Sequence, residues 1–294
     1  MAIVWISKQE LAALSTELRR AINGETVEFR DNQEGALSVL KNDLHTLVTQ
    51  LSAERDAADA ARTEFAEYME NITHQLKTPV TSMMLMADLL EAAPPERQEE
   101  FLANIRTSLA RMNWLVDTLL KLAKLDAGAV QFERAAVTTQ ALVEAALSPL
   151  AILLDVQDQQ VALANDAVLH CDKRWTVEAL TNLLKNACEA SPPGSTIIVD
   201  AGENPLYEWL SVRDAGSGLS REEMAQLFVR FAGSHKARGV GIGLPLALAI
   251  VRGQNGDIDV DAGGKGRRDV YAKILQVTEN VTAESPSCHF RVLG

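Results

Sequence analysis

Two long helices forming a hairpin, followed by a mixed α/β domain, are what this sequence predicts, and three observations carry that prediction. Apolar residues recur at alternating spacings of three and four between positions 37 and 72, and a second such stripe runs between 102 and 123. Beyond Val130 the texture changes to short apolar strands and helices separated by glycines. A hairpin cannot bury two stripes by itself, so pairing with a second copy into a four-helix bundle is the economical architecture.

The elements follow in order. Residues 7–22 read as an amphipathic helix stopped by Asn23-Gly24, and 25–35 are polar and aperiodic, a helix and linker making up 1–35. The long helix of 36–92 carries Leu37, Leu40, Leu44, Leu47, Leu51, Ala58, Ala61, Phe65, Tyr68 and Ile72 on its seam, with Glu54 the one interruption. His74 falls two residues after Ile72, on the outward face, and Pro79 should bend the helix within about two turns of it. Ala92-Ala93-Pro94-Pro95 breaks the helix, and 96–127 is helical again, ending at Gly128 as a C-cap. Leu102, Ile105, Leu109, Met112, Val116, Leu119 and Ala123 keep its stripe, which closes a helical region of 36–128. In 129–294, strands are expected at 196–200, 209–212 and 257–260, and both 269–276 and 288–293 read as strands that end the sheet.

Composition narrows the function classes. The chain of 294 residues suits two cores, and its formal net charge of −12 argues against nonspecific nucleic-acid binding, which needs a basic footprint. Cys171, Cys188 and Cys288 lack the paired spacings of a zinc site or disulfide framework and read as free thiols in a reducing cytoplasm. No apolar run approaches the roughly 18 residues that span a bilayer, and residues 1–6 are too short for a signal-peptide core. A soluble, cytoplasmic chain is expected, with membrane attachment only through a segment outside it.

Three clusters in the second half carry chemistry. Asn182-Leu183-Leu184-Lys185-Asn186-Ala187 sets two carboxamides four apart on one helix face, and an Asn oxygen is a hard, neutral ligand suited to Mg²⁺ on a triphosphate. Asp214-Ala215-Gly216-Ser217-Gly218 follows a strand: its carboxylate can accept from an exocyclic amine, and its glycines let backbone approach a purine. Gly239-Val240-Gly241-Ile242-Gly243-Leu244 precedes an apolar helix near Pro245, so backbone N–H groups and a helix N-terminus face an anion. Each alone is weak, since paired Asn residues are more often solvated and glycine turns are often only turns. A dinucleotide fingerprint would need its glycines early in a βαβ unit, and a Walker loop would need GK[ST]; this chain has neither.

In their order, Thr73-His74-Gln75-Leu76-Lys77-Thr78-Pro79 and the three clusters resemble the sensor histidine kinases of two-component systems, over residues 36 to the end. That resemblance implies a dimerising, phosphoacceptor hairpin followed by an α/β-sandwich Bergerat ATP-binding domain. It implies that His74 is phosphorylated from ATP and that the group passes to an aspartate of a response-regulator receiver domain. Asn186 would hold Mg²⁺ with Asn182 in support, Asp214 would bind the adenine amine, and Gly216 and Gly218 would shape the purine pocket. Gly239, Gly241 and Gly243 with Leu244 would line the phosphates. Phe228 and Phe231 resemble the family's phenylalanine box, with core aromatics as the alternative, and 232–238 would be the lid, with Lys236 and Arg238 either neutralising the triphosphate or simply solvated. Thr78 resembles the residue that positions water in the reverse phosphatase step; a hydroxyl bonded back to its own helix is the alternative. Homodimerisation is implied, and the family is usually anchored in the cell membrane.

This chain departs from the pattern at two residues. The position after the histidine is usually acidic and takes the imidazole proton, but Gln75 does not titrate near neutral pH. Glu70, one turn before His74, is the candidate substitute, against the alternative of a solvated glutamate. Glu189 stands where a basic or aromatic residue is common and would bring negative charge towards the nucleotide, offset by Lys185 and the lid cations. A degenerate kinase acting as a phosphatase or docking module is therefore the rival function. A chaperone- or topoisomerase-type ATPase would lack the histidine-bearing hairpin.

Overall fold

The computed structural model describes residues 8–22, 25, 27, 36–91, 93–205, 207–232, 240–261 and 268–275. They form two compact units, 1–74 and 75–294, whose boundary falls inside one long helix. In chain order the helices α1 (Lys8–Ile22), α2 (Ala36–Glu91) and α3 (Pro95–Asp126) come first. Then follow β1 (Ala135–Thr138), α4 (Thr139–Leu147), a 3-10 turn (Ser148–Leu150), α5 (Ala151–Val156), β2 (Gln160–Leu163) and β3 (Val168–Cys171). The rest is α6 (Lys173–Ala190), β4 (Thr196–Glu203), β5 (Tyr207–Asp214), α7 (Arg221–Gln226), α8 (Gly243–Gly253), β6 (Gly256–Asp261) and β7 (Arg268–Leu275).

The helix α2 runs unbroken through Pro79. Because proline has no N–H, the carbonyl of Gln75 receives no helical hydrogen bond from that position, which loosens the turn that follows His74. The helix α3 starts with Pro95 at its first turn, where a missing donor costs nothing, and Gly128 just beyond its end has φ +61°. Its stripe is not the face that the chain buries. Phe101, Leu115, Thr118 and Leu122 are buried, whereas Leu102, Leu109 and Val116 stay exposed, Leu109 by 45%.

A five-stranded sheet runs in the order β2-β4-β5-β7-β6, with β2–β4 parallel and the other pairs antiparallel, beside a two-stranded β1–β3 ribbon. Alternation sets the buried face, as Ile197, Val199 and Ala201 of β4 and Leu210 and Val212 of β5 point into the core. Helix α6 is capped by Asp172, whose carboxylate accepts from Trp175 N–H, and it buries Thr176, Ala179, Leu180, Leu183, Leu184 and Ala187 at helical spacing. It packs between α4 and α8 over this sheet. Leu184, Ile197, Leu246 and Ile250 are fully buried, each worth roughly 1.5–3 kcal/mol by transfer. The closing strand is β7, pairing Tyr207 with Leu275 through to Asp214 with Arg268; the rival at 288–293 lies outside the described residues.

One expectation is corrected. Thr139–Val156 is 18 residues at mean hydropathy 1.4, long and apolar enough by composition to cross a membrane. The 3-10 turn at Ser148–Leu150, containing Pro149, divides it into α4 and α5, and Leu142, Val143, Ala146 and Leu150 enter the core of the α/β domain. Its α4 half therefore serves the packing of a domain, whereas Ile152 and Val156 of α5 are exposed.

Candidate functional site

The acceptor candidate is built by one helix. His74 on α2 has a side chain 71% exposed, and Glu70, one turn earlier, places Oε1 3.8 Å from its Nε2. That separation is beyond hydrogen-bond length, and it is an ion pair only when the imidazole is protonated. Thr73 bonds its hydroxyl back to Met69 O at 2.8 Å, which keeps it on the helix and away from solvent chemistry. Thr78 is exposed and Gln75 is half-buried.

The nucleotide candidate is built by three segments far apart in sequence. Helix α6 presents Asn182 and Asn186, the first buried to 8% exposure and the second half-buried. Asn182 donates to Glu178 O at 2.9 Å, which aims its Oδ1 at the start of α8. A Cβ on Gly243 would lie 2.7 Å from that oxygen, so a side chain there would have to displace the Asn182 carboxamide. The first-turn amides of Gly243 and Leu244 have no acceptor within α8, which makes this end electropositive.

At the end of β5, Asp214 is only 3% exposed, and its Oδ1 accepts from Gly216 N–H at 2.9 Å. A Cβ on Gly216 would meet Ala190 O at 2.9 Å, and Gly218 has φ +81°. The carboxylate is thus held by its own turn against the end of α6. Two residues absent from the sequence reading complete this corner. Ser191 Oγ accepts from Ala215 N–H at 3.1 Å, and the amide of Gln159 donates to carbonyls around Ser191. Nothing in local sequence signals Gln159, because its partners lie about 30 residues away in the chain.

Phe231 takes φ +62°, is buried, and donates its N–H to Gly241 O at 2.9 Å. Gly241 has φ +74°, and a Cβ there would strike Ala232 O at 2.7 Å. The two ends of the expected lid are therefore clasped together, and Phe228 packs on the core beside them. Lys236, Arg238 and Gly239 lie outside the described residues.

Lys185 and Glu189 lie on one side of a cleft with α3. Lys185 Nζ sits 5.0 Å from the ring centroid of Trp114 on α3, and both residues line a cleft of about 930 Å³ together with Glu189, Lys121 and Glu178. The tail of α3 is fastened to the α/β domain along this side, by Lys121–Glu178 at 2.8 Å and by Arg230 Nη2 on both Asp126 oxygens at 2.8 Å. Cys188, between Asn186 and Glu189, is buried; burial first and the Glu189 carboxylate second push its thiol up to about 11. Burial also raises Cys171, so both stay protonated and unreactive at neutral pH, and Cys288 is outside the described residues.

Comparison with known proteins matches both parts. Residues 66–128 match the His Kinase A (phospho-acceptor) domain, and residues 171–278 match the histidine kinase-, DNA gyrase B- and HSP90-like ATPase. The swarming motility regulation sensor protein RssA of Serratia marcescens is 29% identical over 211 residues, covering 68% of this chain and 45% of that protein. The chain spans about half the length of the curated relatives it matches. In fold it is similar to the Acinetobacter baumannii histidine kinase AdeS, with a TM-score of 0.60 at 21% identity over 70% of this chain and 98% of that one. It is equally similar to the histidine kinase ThkA, solved in complex with the response regulator protein TrrA, with a TM-score of 0.60 at 17% identity over 79% of this chain and 67% of that one.

Proposed function

Because the chain belongs to the sensor histidine kinases of two-component systems, with phospho-acceptor and ATPase domains in one polypeptide, we infer that it phosphorylates its own His74 from ATP and passes the group to a response regulator. The observation that carries this is that α6 meets the N-terminus of α8 through Asn182 and the Asp214 turn at its end, on a chain whose matched phospho-acceptor region contains an exposed His74. In functional terms the division is 1–35, 36–128 and 129–294, with acceptor and catalyst on separate parts.

In the proposed reaction a ring nitrogen of His74 forms a bond to the γ-phosphorus as the bond to the β,γ-bridging oxygen breaks, and ADP leaves. The attacking nitrogen must be the unprotonated one. Glu70 is placed to hold the ring proton on the other nitrogen after a small side-chain movement, a task Gln75 cannot perform by ionising. Asp214 accepts from the adenine amine, and the amides of Gly243 and Leu244 face the phosphates. Asn186 supplies the hard oxygen for Mg²⁺, which when bound to the triphosphate offsets charge developing in transfer. Lys236, Arg238 and Gly239 belong to the proposed lid. The phosphoramidate then yields its phosphoryl group to a receiver-domain aspartate, and Thr78 positions water in the reverse, phosphatase direction.

The exposed stripe of Leu102, Leu109 and Val116 fits a second copy of the chain, completing a four-helix bundle. Positive φ at Gly218 and Gly241 and crowding around Gly216, Gly241 and Gly243 support the reading of an active kinase over a phosphatase or docking module. Incubation with γ-labelled ATP, followed by addition of purified receiver domains, tests this function. Label should enter the chain and leave it for one receiver; a chain that binds ATP and never acquires label would overturn the kinase reading.

A further inference from the structure

We propose that Ser191 and Gln159 are positioning residues for adenine recognition, joining the end of α6 to the Asp214 turn so that the pocket reads the exocyclic amine. The proposal rests on the assignment of Asp214 to the base. A helix end leaves its last four carbonyls without helical donors. At the end of α6, Ala187 O is met by the Ser191 N–H and Cys188 O by a buried side chain that also reaches the two carbonyls just beyond the helix. Gln159 is 5% exposed, and its Nε2 lies 3.1 Å from Cys188 O, 3.0 Å from Ser191 O and 3.2 Å from Pro192 O. An amide N–H₂ can donate to these carbonyls, whereas a carboxylate would face three oxygens.

Ser191 carries the constraint onward. It is 7% exposed, its N–H closes the last helical turn on Ala187 O at 3.0 Å, and its hydroxyl accepts from Ala215 N–H at 3.1 Å. Ala215 lies between Asp214, the base reader, and Gly216, whose N–H holds Asp214 Oδ1. Gly216 also sits so tightly on Ala190 O that no side chain fits between turn and helix. Helix end, hydroxyl, turn and carboxylate therefore move as one body. Removing the Ser191 hydroxyl or the Gln159 amide frees the turn and spreads the carboxylate over several orientations, although neither side chain is assigned a contact with nucleotide.

The test compares ATP with purine riboside 5′-triphosphate, which has the same sugar and phosphates and no exocyclic amine, by calorimetric titration of the full chain. Wild type should prefer ATP. Ser191→Ala and Gln159→Met should reduce that preference by about five- to tenfold, as expected for one lost hydrogen bond, through weaker ATP binding alone. Ser191→Thr, which keeps the hydroxyl, should restore it. A preference that survives Ser191→Ala but is lost in Asp214→Asn would overturn the positioning role and leave the base assignment standing. Equal weakening of both nucleotides would likewise overturn it in favour of a merely structural role. No preference in the wild type would overturn the base assignment as well. If Gln159→Met fails to fold, the Ser191 pair decides.

Discussion

The acceptor region and the nucleotide region solve opposite problems. His74 stands on a single helix, mostly in solvent, with a carboxylate one turn away at 3.8 Å. Asp214, Asn182 and Gly243 are fixed by residues from three segments, with clearances too small for one added carbon at Gly216, Gly241 and Gly243. A group that must be reached by other molecules is presented by local structure, and a group that must enclose a nucleotide is held by long-range packing. Damage to the two regions should therefore differ in kind: lost assembly or lost chemistry in the first, lost binding in the second.

The largest effect is expected where the acceptor helices meet a second copy. Leu109→Asp or Leu119→Asp would bury an unpaired carboxylate in the bundle seam at a cost of several kcal/mol, giving monomers by sedimentation. Unaltered nucleotide affinity in those monomers would sharpen the contrast, and a full-strength dimer would break it. Next comes Gly243→Val, which drives a side chain into the Asn182 carboxamide. It should weaken ATP binding by between about ten- and a hundredfold, in line with ordinary overpacking costs, while the dimer persists.

A smaller effect is expected for Asp214→Asn, about tenfold in ATP affinity with the fold retained, as for a lost hydrogen bond to a charged acceptor. Wild-type titration in that variant would remove Asp214 from the pocket. The smallest concerns the proton. Glu70→Gln should slow autophosphorylation about two- to fivefold with nucleotide affinity unchanged, the scale of an exposed pair, and Gln75→Glu should speed it. Equal rates in all three proteins would exclude Glu70 and leave solvent as the proton acceptor.

What was legible in the sequence divides along the same line. His74 could be read because a helical stripe and a proline are local signals, and the exposed side chain agrees with that pattern. Asn182, Asp214 and the glycines could be singled out, as proposed nucleotide contacts, because each sits in a short recognisable cluster. Their reasons could not. That Gly243 makes room for Asn182, or that Gln159 meets the end of α6, depends on pairs separated by about 30 residues or more, which no periodicity reports. The closing strand was ambiguous for the same cause; β7 pairs in register with β5, and 288–293 lies outside the described residues. Lys185 and Glu189 were linked to the nucleotide through the family resemblance; both line the cleft that includes Trp114 of α3. Thr139–Val156 passed unnoticed as an apolar run because small residues dilute it, and its role became plain only in the packed domain.

The central claim is that the exposed imidazole of α2 receives the γ-phosphoryl group of ATP. It is tested most directly by labelling wild type and His74→Gln with γ-labelled ATP and treating each with acid and with base. Label that survives base, is lost in acid, and is absent from His74→Gln while nucleotide affinity is unchanged is the predicted result. Label that persists in His74→Gln, or that is lost in base and survives acid, would contradict it.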